Sequence, residues 1–213
     1  MVSDHGGSVS LPSVGLGRRG EIALAKTSVV RDHRADGAPG LITVLGVRYT
    51  TARHTAEQAV NLVADTLGRR LAPNRSSVAP LVGGEIGDLD AFLATTRLAP
   101  AAVSSAALER LARSYGTRYQ RVLSLAEADA GLAASIGTAC GVTGAEVLHS
   151  VCEEMAVRLS DVVFRRTEAG SAAFPGRDAL DRSAAIMDAE CGWDRSRTAA
   201  ETVVVEAHYR ILE

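Results

Sequence analysis

Between residues 40 and 60 the hydrophobic period of this chain changes, and that change constrains the fold more than any other stretch. Leu41, Ile42, Val44 and Leu45 make a short apolar run interrupted only by Thr43, which reads as a buried strand rather than a half-exposed one. Gly46 ends the run where a backbone needs positive φ or close approach to a neighbour. Thr50 and Thr51 follow as candidate N-caps. Ala56, Ala59, Val60, Val63 and Leu67 then recur at helical spacing, with Glu57, Asn61 and Asp65 on the other face. Strand, glycine turn and helix N-terminus in succession aim free backbone N–H groups and a positive helix end at one point. Arg48 and Arg53 add permanent charge there. This geometry suits a phosphate or a phosphate-bearing cofactor. The same letters also fit an ordinary capped helix after a core strand, with its arginines solvated.

Residues 1–20 are rich in Gly and Ser, show no period, and read as a flexible N-terminus. Within them Gly15-Leu16-Gly17-Arg18-Arg19-Gly20 fits G-x-G-x-x-G by letters alone. A dinucleotide fingerprint must follow a strand and open a helix. This one follows Leu11-Pro12-Ser13-Val14 and precedes an alternating, β-branched stretch at 21–31, so it reads as a loop before a strand. A turn at 32–39, containing Asp36-Gly37, joins that strand to 41–45, and the two are expected to pair antiparallel. Two strands alone make a marginal sheet, and the second is too apolar to face water. The expectation is the end of a larger sheet: residues 21–72 are a terminal piece of a domain, and a polar Gly/Pro-rich linker follows at 73–87.

Residues 88–213 read as helical throughout. Asp88 caps a helix over 89–98, and Ser105 or a neighbour opens 106–115, which ends at Gly116. Thr143-Gly144-Ala145-Glu146 is a capping box, opening a helix with Leu148, Val151, Cys152, Met155 and Leu159 on one stripe. The segment 178–191 places Leu180, Ala184, Met187 and Cys191 together and stops at Gly192. Asp194 starts a last helix with Ala200, Val203, Val204, Ala207 and Ile211 inward. The fold class is therefore α+β and mostly α: a short antiparallel strand pair and one helix, then a helical bundle domain.

Net charge of -2 argues against a nucleic-acid footprint, although only Lys26 among the 23 basic residues is lysine. Aromatic content of 4% is too low for a base-stacking platform. Cys140, Cys152 and Cys191 lie far apart in sequence, which suits buried free thiols in a reducing cytoplasm. No apolar run is long enough to span a bilayer, and the start carries no signal-peptide core. His149, Cys152 and Glu153 share one helix and could suggest a metal, but buried packing is the better reading without a second ligand pair. His33, His54 and His208 have no partnered acid or nucleophile in sequence reach.

Residues 41–60 resemble the last flavin-binding segment of FAD-dependent glycerol-3-phosphate dehydrogenases and the related α-glycerophosphate oxidases. That pattern is a hydrophobic strand, Gly-Gly-Lys, a variable residue, Thr-Thr, one more, Arg, and a helix beginning Ala-Glu. Gly46, Thr50, Thr51, Arg53 and Ala56-Glu57 match it. Val47 stands in place of the second glycine and Arg48 in place of the lysine. The later chain resembles the same family's C-terminal helical domain, through Arg113-Ser114-Tyr115-Gly116, the run from Leu159 to Thr167, and Gly192-Trp193-Asp194 before a Glu201-bearing helix.

The resemblance implies hydride transfer from glycerol 3-phosphate to FAD, with electrons passed to quinone or oxygen. It implies Gly46, Arg48, Thr50 and Thr51 at the cofactor, and Arg48 and Arg53 at the substrate phosphate. The base and the pyrophosphate fingerprint would come from a flavin-binding domain or chain other than these residues, so this chain alone should be inactive. The family is often membrane-associated at its respiratory end, which implies a peripheral membrane contact; this sequence shows no anchor. A rival reading is a stand-alone helical interaction module, or a subunit completing a separate flavoprotein chain.

Overall fold

The computed structural model describes residues 27–210. The N-terminal loop, the glycine-rich hexapeptide at 15–20, the first part of the 21–31 strand and Ile211 lie outside them. The chain divides between Ala79 and Pro80 into two compact units.

In the first unit, β1 (Val29–Asp32) pairs antiparallel with β2 (Ile42–Leu45), Val29 opposite Leu45 and Asp32 opposite Ile42. The turn between them carries Gly37 and Gly40 at φ 80° and 88°, a conformation that favours glycine. A 3₁₀ turn at Tyr49–Thr51 leads into α1 (Ala52–Thr66). Strand β2 is not buried here, against the expectation: Leu41 is exposed and Val44 keeps 47% of its surface. The helix shows the same departure. It turns Thr55 and Ala64 inward, while Val60, Val63 and Leu67 of the expected core stripe face out, Val60 at 55%. The periodicity is real, but among the described residues of this unit no surface covers the stripe.

The second unit begins its helices at α2 (Leu89–Arg97), whose cap Asp88 accepts from Ala91 N at 2.9 Å. Then come α3 (Ser105–Tyr115), α4 (Tyr119–Ala128), the short α5 (Ala130–Ala133) and α6 (Gly144–Cys152). Ser104, the neighbour of Ser105, caps α3 by accepting from Ala107 N at 3.2 Å. The single turn α7 (Leu159–Asp161) runs into a π-helical turn at Val162–Arg166, and α8 (Arg177–Cys191) and α9 (Arg195–Arg210) complete the bundle. One core is built by α2, α3 and α4 around Leu93, Leu108, Leu111 and Val122. The other is built by α6 to α9 around Val147, Leu159, Leu180, Met187 and Val205. In the wide turn, the N–H and hydroxyl of Thr167 both reach Val162 O, at 3.0 and 2.8 Å.

Three helix faces differ from expectation. Helix α6 ends at Cys152, so Met155 lies beyond it and Leu159 belongs to α7. It is surrounded on most sides, burying Ala145, Val147, His149 and Ser150, while Cys152 stays exposed. Cys191 is exposed as well and Cys140 half-buried, so the thiols are free but not core residues. Helix α9 inverts its assignment: Thr202 and Val205 are buried while Ala200, Val203, Val204 and Ala207 face out. Threonine hydroxyls bond back to the preceding turn, as Thr202 does to Thr198 O at 3.0 Å, so burial leaves them satisfied.

Candidate functional site

The residues around Gly46 come together as one open groove of about 510 Å³, lined by Val44, Gly46, Val47, Arg48, Tyr49, Ala52, Thr55 and Ala56. The backbone is extended through Arg48 and then coils, so strand, turn and helix start follow in the expected order. Residues 50–54 are exposed, leaving the amino end of α1 open. A Cβ on Gly46 would meet nothing within 4 Å, so space rather than backbone strain marks that position.

The capping differs from expectation. Thr51 occupies the N-cap position but makes no side-chain cap, and its hydroxyl donates back to Arg48 O at 3.2 Å. The preceding 3₁₀ turn ties the N–H groups of Thr51 and Ala52 to the carbonyls of Arg48 and Tyr49. Neither threonine hydroxyl therefore holds the helix end in the manner of a cap box.

Arg48 is exposed, and its guanidinium makes no hydrogen bond or ion pair with another described residue. Arg53 is engaged, donating to Glu57 at 3.0 Å and to Ser76 Oγ at 3.3 Å. Tyr49 is fully exposed at the groove's lip. The groove so defined presents an unpaired guanidinium, an open helix start and a wet phenol ring.

A polar cluster that sequence reasoning missed closes the hairpin. His33 is 1% exposed, its Nδ1 2.8 Å from Asp36 and its Nε2 2.8 Å from the Thr43 hydroxyl. Arg31 reaches both Asp36 oxygens at 2.9 and 2.8 Å. The Arg31 guanidinium, and after it His33, hold the Asp36 carboxyl below its usual range. An ionised Asp36 can only accept, so Nδ1 carries a proton and donates to it, while the Thr43 hydroxyl lies within hydrogen-bond reach of Nε2. His33 thus does have a partnered acid, and the signal was the three-residue spacing to Asp36 across a turn.

In the second unit the motif residues serve as joints. Gly116 ends α3 at φ 54°, with its backbone pressed against the Gly83 carbonyl. Glu146 accepts from Thr143 N at 2.7 Å and pairs with Arg110, which also donates to Gly141 O. Glu201 accepts from Leu159 N at 3.1 Å, so α9 caps α7. Asp161 pairs with Arg165 at 3.1 Å; Gly192 ends α8 in the left-handed region; Asp194 caps α9 by accepting from Arg197 N at 2.7 Å. His149 is buried edge-on to Tyr115, and Cys152 lies near Glu190 rather than His149. No cluster of three metal-ligating side chains forms among the described residues. Among them, too, no helix is long and apolar enough to cross a membrane.

Three relatives frame the whole. Glycerol-3-phosphate dehydrogenase of Synechocystis is 27% identical over 176 residues, covering 82% of this chain and 32% of that protein. The mitochondrial glycerol-3-phosphate dehydrogenase of Arabidopsis thaliana is 28% identical over 202 residues, covering 84% and 31%. The aerobic glycerol-3-phosphate dehydrogenase of Staphylococcus aureus is 26% identical over 167 residues, covering 74% and 29%. The chain spans about a third of the length of these relatives. The family model for the C-terminal domain of alpha-glycerophosphate oxidase matches residues 74–198, more than half of the sequence. Through that domain, the chain belongs to the alpha-glycerophosphate oxidase family as its C-terminal portion.

Proposed function

We propose that this chain is the C-terminal third of an FAD-dependent glycerol-3-phosphate dehydrogenase, which converts sn-glycerol 3-phosphate to dihydroxyacetone phosphate. The observation that carries the reading is the open groove at Gly46, where an unpaired Arg48 stands beside the exposed amino end of α1. Bound flavin supplies the two-electron chemistry. Arg48 offers a forked donor to a phosphate, of the substrate or the cofactor. The backbone at Thr50 and Thr51 brings the positive end of α1 to the same place. Arg53, held by Glu57 and Ser76, supports the charge of the groove and can turn toward a phosphate only by giving up those contacts. Gly46 leaves the approach clear while Val47 narrows it on one side. The remaining flavin contacts and the catalytic base belong to the two thirds of the enzyme that this chain does not span. The three free thiols fit a reducing cytoplasm.

Purified alone, the chain should not reduce a dye with glycerol 3-phosphate. Co-expressed with the N-terminal two thirds of a relative, it should restore that activity, and Arg48→Ala should lower kcat/KM about tenfold or more, by the loss of a charge-assisted contact. Dye reduction by the chain alone, or restored activity indifferent to Arg48, would overturn the reading.

A second reading, a subunit that completes a separate flavoprotein chain, is favoured by the exposed apolar surface of β2 and α1. An open apolar strand invites pairing. Co-purification with a flavoprotein would support it, and a clean monomer by light scattering would remove it.

A further inference from the structure

The second unit holds a groove that the flavin reading does not use. It is about 570 Å³ and lies between the loop at Gly83–Gly84, the end of α3, the start of α4 and the end of α6. Its charged lining is Arg113, Arg118, Arg121, Glu153 and Glu154, with His149 among the lining residues.

The charges can be paired off. Arg113 donates to Glu109 at 2.9 and 3.1 Å, outside the groove lining. Arg121 meets Glu153 at 3.4 Å, and Glu154 lies 3.9 Å from His149 Nε2. Arg118 is left over: half-buried, it makes no hydrogen bond or ion pair with another described residue, and it senses Glu85 only from beyond ion-pair distance. A guanidinium withdrawn from water without a partner is costly, and it is stabilised when an oxyanion fills the position. His149 is buried edge-on to Tyr115, and its ring makes no hydrogen bond to another described residue, Glu154 being its nearest charged neighbour at 3.9 Å.

Backbone strain gathers at the same rim. Gly83 and Gly116, at φ 84° and 54°, press together so closely that neither tolerates a side chain. Directly after Glu154, Met155 holds φ 60° while 83% exposed, a left-handed methionine with no burial to hold it there. Such outliers concentrate at ligand clamps.

We propose that this groove binds a small phosphate monoester, with Arg118 as the principal anion contact and Arg121 beside it. The site is built from residues of the second unit alone, none of which lines the groove at Gly46.

The test is a titration of the full chain with sn-glycerol 3-phosphate, read by amide chemical shifts. The expected result is saturable movement of the Gly83, Gly84 and Gly116 amides, with affinity weakened tenfold or more by Arg118→Gln and unchanged by Arg48→Gln. Folding of the variant is checked by its undisturbed Gly192 and Val205 amides; should Arg118→Gln misfold, Arg121→Gln replaces it, with a smaller weakening expected. Shifts confined to Gly46 and its neighbours, or affinity lost with Arg48→Gln and kept with Arg118→Gln, would overturn the proposal while leaving the flavin reading intact. The same glycine shifts produced only by phosphatidylglycerol vesicles, and not by the soluble ester, would overturn it as well.

Discussion

Val60 in α1 and Leu180 in α8 both sit on the apolar stripe of a fifteen-residue helix, yet Leu180 is completely buried and Val60 more than half exposed. The difference belongs to the units, not to the helices. The second unit surrounds its helices with two cores, of α2–α4 and of α6–α9. Among its described residues the first offers α1 a two-stranded sheet, which is too little surface for the apolar side chains the sequence provides. An apolar stripe without a cover marks where a chain expects more protein. On the proposed function, that protein is the flavin-binding region.

The sharpest way to break this comparison is to truncate both side chains. Leu180→Ala should cost about 4 kcal/mol in urea unfolding, as a cavity in a closed core does. Val60→Ala should stay within about 0.5 kcal/mol. Equal losses would mean that α1 has a cover after all. Next in size, Arg110→Ala should cost about 3 kcal/mol, because it strands the buried Glu146 carboxylate without its partner. Gly116→Ala should cost about 2 kcal/mol, since φ 54° strains any side chain and the new Cβ would strike the Gly83 carbonyl. Both should leave the amide-exchange rates of α1 unchanged if the units keep separate accounts of stability.

The smallest effect lies on the surface of the larger unit. Hydrogen bonds from Arg97, then Arg113, hold the Glu109 carboxyl down to about 2. A carboxyl depressed in the folded state stabilises above its ordinary value of 4.5 and loses that contribution as pH falls toward about 2. Glu109→Gln should therefore lower the melting temperature slightly at pH 7, less in high salt, and match the parent near pH 2. A difference that persisted in acid would assign the effect to packing.

Local signals were legible where the chemistry is local. Asp88, the Glu146 half of the capping box, Gly192 and Asp194 each act within a few residues, and the structure places each helix end beside them. The hairpin and the mostly helical fold class followed from the change of period. Choices between faces were not legible, because a face is settled by its neighbour. Helix α9 could bury its valines at 203 and 204 or Thr202 and Val205, and its packing partners took the second set. For α6, burial on most sides erased the stripe altogether. At the candidate site the order of elements was readable from Gly46 to Ala52. The idle hydroxyl of Thr51 was not, since it depends on a 3₁₀ turn that threonine spacing does not announce. His33 was overlooked because its partners, Asp36 and Thr43, meet it only once the hairpin closes.

The wide turn at Val162–Arg166 has a consequence for how this chain tolerates change. A coil that closes over five residues instead of four carries one more residue than regular winding requires. Loss of a single codon there would let the backbone resume ordinary pitch, an outcome denied to α8, where the same loss rotates every later core residue by about 100°. The damage would fall on Thr167, whose N–H and hydroxyl end on the same carbonyl and would have to find another.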